Sequence, residues 1–170
     1  MKQNEKEKWM KEYKAFYEKH LDCPQAREID SLTLVMKKEY AEAIKRGEKT
    51  VEFRNYSKFY GTRLFDKDVD AYIDQHQGEP EIAEALAKGI ITPMRIVKSL
   101  HFHNYNNTWE MDVECIANGV IAICEEDIRF LQEKFNCHEL DEELERFKGV
   151  DEPPLLFYFA CGKIENTKNI

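Results

Sequence analysis

The sequence predicts an α+β domain built on a small β-barrel or curved, mostly antiparallel sheet, with flanking helices and an added N-terminal helix. Three observations carry this expectation. Stretches with the alternation or β-branched and aromatic richness of strands, at 31–36, 50–54, 94–103, 109–123 and 155–164, are separated by stretches with helical period. Two of them, 94–103 and 109–123, are joined across Asn104-Tyr105-Asn106-Asn107, a hairpin-type connection. A long amphipathic stretch at 4–20 precedes the first strand.

The elements follow in order. In 4–20, Trp9, Tyr13, Phe16 and Tyr17 recur at helical spacing among lysines and glutamates, a stripe that reads as core packing rather than as base stacking. Cys23-Pro24 interrupts it. In 31–36, SLTLVM, Leu32, Leu34 and Met36 share one face of a strand. Residues 37–46 read as a helix with Tyr40 and Ile44 on its inner face. Gly47 suits the left-handed position that ends such a helix, with Lys45 and Arg46 at its negative end. NYSKFYG reads as a loop, 66–76 and 80–88 as short helices, the second closed by Gly89. Residues 125–135 and 138–147 read as acidic helices, stopped by Pro153-Pro154 before the last strand. A boundary near residue 28 divides the chain into a helical extension, 1–28, and the main domain, 29–166.

With 170 residues, 42% of them hydrophobic, the chain is long enough to bury a core without staples. No apolar run is long enough to span a bilayer, and the charged MKQNEKEKWM start lacks the apolar stretch of a secretory signal, so a cytoplasmic protein with no membrane partner is expected. The five cysteines are odd in number and widely spaced without C-x-x-C, which argues against a disulfide framework or structural zinc; no cofactor is expected. Protein partners are not legible. The net charge of −8 opposes nucleic acid at long range, but it is uneven. Residues 37–63 hold eight Lys/Arg against four Asp/Glu, whereas 110–152 hold four against fourteen.

Residues 47–54, GEKTVEFR, pose the functional question. If Val51 and Phe53 enter the core, Thr50, Glu52 and Arg54 take the opposite face, and Lys49 sits at the turn where its direction is open. The plain reading is a surface salt-bridge cluster on a solvated strand, of little energetic value. The alternative is an acid and two cations around a ligand cleft.

The stretch LTLVMKKEYAEAIKRGEKTVEFR, residues 32–54, resembles the start of ASCH domains, of the PUA-like superfamily. Their signature is a strand, a helix and G-x-K-x-x-E-x-R, and Gly47, Lys49, Glu52 and Arg54 fill its fixed positions. Beyond residue 54 the resemblance rests on element order, and the strand usual soon after the motif is missing, GTRLFDKDVD being a poor substitute. The resemblance implies a cleft lined by the signature and recognition of RNA, a nucleotide or a nucleoside. In one branch it implies an amidohydrolase that converts N4-acetylcytidine to cytidine and acetate, using the motif lysine, a threonine at the position of Glu52, and a later glutamate. Here Glu52 is not an alcohol, Thr50 would give a different geometry, and Glu125, Glu126 and Glu133 are equal candidates for the later acid.

The expected ligand-binding residues are therefore Gly47, Lys49, Glu52, Arg54, Tyr56 and Tyr60, with Lys49 and Glu52 catalytic if the protein is an enzyme. Tyr56, Phe59 and Tyr60, interleaved with Lys58 and Arg63, form an aromatic and cationic segment of the kind that favours unpaired bases. His101 and His103 share a strand face, a packed pair more readily than a metal site because a third ligand is missing. Cys137-His138 side chains diverge, and Glu139–Glu145 read as a solvated helix face.

Overall fold

The computed structural model describes residues 2–170. The described residues form seven helices and five strands: α1 (Gln3–Lys19), β1 (Leu32–Val35), α2 (Lys38–Lys45), β2 (Val51–Asn55), α3 (Lys58–Leu64), α4 (Lys67–Gln75), α5 (Pro80–Ala87), β3 (Ser99–His103), β4 (Glu110–Ala122), α6 (Glu125–Phe135), α7 (Asp141–Arg146) and β5 (Leu155–Lys168). The fold is α+β.

The chain forms two compact units, one made of residues up to Arg27 together with Thr62–Arg95, the other of Glu28–Gly61 and Ile96–Ile170. In the first unit, Phe16 and Cys23 are buried with Val69, Tyr72, Ile82 and Ile91, and Trp9, Tyr13 and Tyr17 pack against that cluster. The aromatic stripe of α1 is thus core packing. Asp66 caps α4, accepting from the amides of Asp68 and Val69, and also accepts from the backbone and guanidinium of Arg27. Burial is the largest single influence on this carboxyl and would raise its pKa. The four donors outweigh it and hold Asp66 well below the usual carboxylate range.

The second unit is built on one sheet with strand order β1-β3-β4-β5-β2. The β1–β3 pair is parallel; β3–β4, β4–β5 and β2–β5 are antiparallel. Leu32 and Leu34 lie beside Leu100 and Phe102, which face Val113 and Met111 across the hairpin. All six are buried, so alternation sets one apolar face across three strands. At the far edge, Val51 packs with Ile128 and Leu131 of α6, Ile121 and Ala160. Glu52 and Arg54 lie directly opposite Phe159 and Phe157, on the other face of β2.

Several local expectations are corrected. Ala41 and Ile44 form the buried face of α2, whereas Tyr40 is 49% exposed. NYSKFYG is not a loop: residues from Lys58 onward are helical in α3. The strand expected at 94–103 is regular only over Ser99–His103; Met94 and Val97 form isolated bridges to Phe65 and Ile29. The helix expected at 138–147 shortens to α7, and the last strand extends to Lys168.

Candidate functional site

The site begins with the end of α2. Gly47 has φ +76°, a left-handed conformation. Its amide donates to the Ile44 carbonyl and that of Glu48 to the Ala43 carbonyl, both at 3.0 Å, the paired closure of a helix C-terminus. The chain reverses there and enters β2 with Lys49 at the junction. Gly47 shapes the turn and makes no contact of its own with the cleft described below.

The amide of Cys161 donates to the Thr50 carbonyl, so Thr50, Glu52 and Arg54 direct their backbone groups at β5, while Val51 and Phe53 direct theirs at the free edge. The signature side chains cap that edge. Lys49 Nζ donates to the Val51 carbonyl at 2.9 Å, and Glu52 Oε1 accepts from the Phe53 amide at 2.9 Å. Glu52 Oε2 lies 3.3 Å from Arg54 Nη2, and Glu52 Oε1 lies 3.7 Å from Lys49 Nζ. Glu52 is only 9% exposed, so the reading of a solvated surface cluster is corrected: these charges are largely removed from water and held by one another.

Arg54 extends the network. Its Nη1 donates to the Tyr60 hydroxyl at 3.1 Å, and its Nη2 donates to the Val35 carbonyl at 2.9 Å. Val35 ends β1 and Arg54 belongs to β2, the two opposite edges of the sheet. The sheet therefore curls into a half-barrel until its edge strands come within one side chain's reach.

Lys49 receives a partner that the sequence reading missed. Both carboxylate oxygens of Glu139 accept from Lys49 Nζ, at 3.1 and 2.9 Å. Glu139 lies in the short segment between α6 and α7. The sequence alone places it on a solvated face, a reading the structure corrects; Glu125, by contrast, pairs with Arg129, and Glu126 and Glu133 are exposed. A separation of 90 residues leaves no local signal for this pairing. The Lys49 ammonium is thus engaged by a carbonyl and a carboxylate, with a second carboxylate close by.

A cleft of about 430 Å³ opens beside this network, within the usual range of about 300–1,000 Å³ for small-molecule sites. Glu52, Phe53 and Arg54 line one side, Val35, Met36, Lys37 and Tyr40 another, and Asn104 and Tyr105 of the β3–β4 turn complete it. Tyr40 and Tyr105 are 49% and 88% exposed, which leaves both rings accessible to a ligand. Lys49 and Tyr60 do not line the cleft but adjoin it through Glu52 and Arg54. Tyr56 packs against Phe157 in a tilted arrangement, ring centroids 5.1 Å apart, and lies outside the lining. Of the lining residues, Glu52 and Arg54 are expected from the sequence, whereas Val35, Met36, Lys37, Tyr40, Phe53, Asn104 and Tyr105 are not. For Tyr105, a large ring on a hairpin turn was the available signal. A second cavity, of 220 Å³ near Cys124, Leu144 and Phe147, contains none of the signature residues.

Comparison with solved structures finds two distant matches. The chain is similar to two crystal structures of mutants of the ZmASCH protein from Zymomonas mobilis. The first has a TM-score of 0.41 and 12% identity over 84% of this chain and 76% of that one. The second has a TM-score of 0.37 and 13% identity over 83% and 76%. No family model matches the chain, and no curated protein matches it.

The remaining candidates resolve simply. Cys161 lies beside the network, but burial, followed by the nearby Glu52 carboxylate, pushes its thiol up to about 12, with Lys49 opposing, so it stands there as a neutral thiol. Burial likewise raises Cys115 to about 11. Among the described residues no group of three or more His, Cys, Asp or Glu side chains gathers around a point, and no helix is long and apolar enough to cross a membrane.

Proposed function

We propose that the cleft between the two sheet edges binds a nucleobase, presented as a nucleoside, a nucleotide or an unpaired residue of RNA. The observation that carries this reading is the juxtaposition of Glu52 and Arg54, 3.3 Å apart, on the wall of a cleft that also exposes Tyr40 and Tyr105. A carboxylate beside a guanidinium offers an acceptor and a donor side by side, which matches the mixed edge of a base. The aromatic rings supply faces for stacking, a term worth about 1–3 kcal/mol per base. Lys37, on the lining and exposed, suits an attached phosphate, and the positive balance of residues 37–63 supplies a local field in an otherwise acidic chain.

The test is a titration of labelled single-stranded RNA and of free nucleosides, followed by fluorescence anisotropy and calorimetry. Tyr40→Ala and Tyr105→Ala alter exposed rings, so they leave the fold intact and weaken binding by about fivefold or more. Equal affinities for wild type and both variants contradict the reading.

A second reading has one specific observation in its favour, the Lys49–Glu139 pair, a lysine beside a glutamate from the later helical region. In an amidohydrolase acting on an acylated base, water adds to the amide carbon, the C–N bond breaks, and the amine leaves with the proton returned to it. Lys49, Glu139 and Glu52 would handle those protons. Hydrolysis of N4-acetylcytidine that disappears in Glu139→Gln supports this reading, and no release of cytidine at high protein concentration removes that substrate.

A further inference from the structure

We propose that His101 and His103 form a two-histidine site for a divalent late first-row transition ion on the outer face of the sheet. The two residues alternate with Leu100 and Phe102, which are fully buried, so both imidazoles project from the opposite face of β3. Their ring centroids are 5.9 Å apart with planes inclined by 32°. Both rings are partly exposed, which gives an ion a path from solvent.

The partners of the two Nδ1 atoms carry the argument. His101 Nδ1 is 2.6 Å from Asp112 Oδ1, its cross-strand neighbour, and His103 Nδ1 is 2.7 Å from the Asn104 carbonyl. A carboxylate and a carbonyl can only accept, so each Nδ1 carries the hydrogen. In the neutral ring the lone pair is then at Nε2, on both residues at once. This is the arrangement that outer partners impose on metal-binding histidines: the far nitrogen is fixed and the ring is oriented. A simple packing pair requires neither matched tautomers nor a carboxylate behind one ring.

Two imidazole nitrogens suit Ni²⁺, Cu²⁺ and Zn²⁺ better than Mg²⁺ or Ca²⁺, which favour oxygen. Two protein ligands leave the other coordination positions to water or to an anionic group. Glu110 lies opposite His103 on β4, with Lys168 opposite Glu110 on β5, so the immediate surroundings are not uniformly acidic.

The test titrates the full chain with Ni²⁺ alone by calorimetry. One ion should bind in the micromolar range. His101→Ala and His103→Ala should each weaken binding by at least about tenfold, and Asp112→Ala by about tenfold through loss of ring orientation. Unchanged Ni²⁺ binding in the double His101→Ala/His103→Ala variant, or only millimolar binding by the wild type, overturns the proposal. Should the variants fail to fold, electron paramagnetic resonance of the wild type with one equivalent of Cu²⁺ decides: coupling to two imidazole nitrogens supports the site, and a spectrum without it overturns it.

Discussion

Arg54 of one edge strand donates to the Val35 carbonyl of the other at 2.9 Å, and the same guanidinium holds Glu52 and Tyr60. One side chain thus joins the two open ends of the sheet while forming the wall of the cleft. Arg54→Ala leaves the Val35 carbonyl without this donor and removes one of the two cations at Glu52. Hydrogen bonds to charged groups contribute about 1.5–3 kcal/mol each, so a loss of about 2–3 kcal/mol in urea unfolding is expected. Arg54→Lys should recover less than half of that, because a single ammonium cannot reproduce the fork that reaches three partners. Full recovery by lysine would show that only the charge matters.

Lys49 and Glu139 couple the start of β2 to the segment between α6 and α7. Glu139 is 39% exposed on its side chain, so solvent screens the pair and Glu139→Ala should cost only about 1 kcal/mol. Lys49→Ala should cost more, because it also abandons the Val51 carbonyl and a buried carboxylate, Glu52. A double-mutant cycle on Lys49 and Glu139, followed by chemical denaturation, should give a coupling of about 0.5–1 kcal/mol. A coupling of zero would mean the contact carries no energy.

Gly47 tests the turn without touching the cleft. A Cβ there meets nothing within 4 Å, so the cost of Gly47→Ala is conformational alone, set by φ +76°. About 1–2 kcal/mol of destabilisation is expected, with ligand affinity preserved. Thermal melts with a parallel binding titration separate the two effects, and an unchanged melting temperature would contradict the left-handed assignment.

Asp66 sets a pH dependence in the other unit. Its folded-state pKa is depressed, so its contribution is fully present above the unfolded value of about 3.9 and is lost as pH falls through the folded value. The stability gap between wild type and Asp66→Asn should therefore be constant from neutral pH to about pH 5 and shrink below about pH 4. A gap that widens on acidification would reverse the assigned sign.

The local grammar of GEKTVEFR was legible. Gly47 after a basic helix end announces the turn, and Val51 and Phe53 announce the strand and its inner face. Tyr40 misled because aromatic bulk suggested burial, yet Ala41, three residues before Ile44, takes the inner position and leaves Tyr40 to the cleft. The segment after Asn55 misled because tyrosines, serine and glycine suit loops, while its own Ser57 carbonyl accepts from the Gly61 amide in a helical turn. Glu139 and Val35 were beyond reach. Val35 enters the site through the curl of the sheet and Glu139 through a contact 90 residues away, properties of the closed structure rather than of any window of sequence.

The measurement that tests the central claim most directly is a nuclear magnetic resonance titration of the ¹⁵N-labelled chain with nucleosides and a short single-stranded RNA. The account predicts saturable shifts concentrated at Val35–Tyr40, Glu52–Arg54 and Asn104–Tyr105, lost in Tyr105→Ala. Shifts confined to other surfaces, or none at all at millimolar ligand, would contradict it.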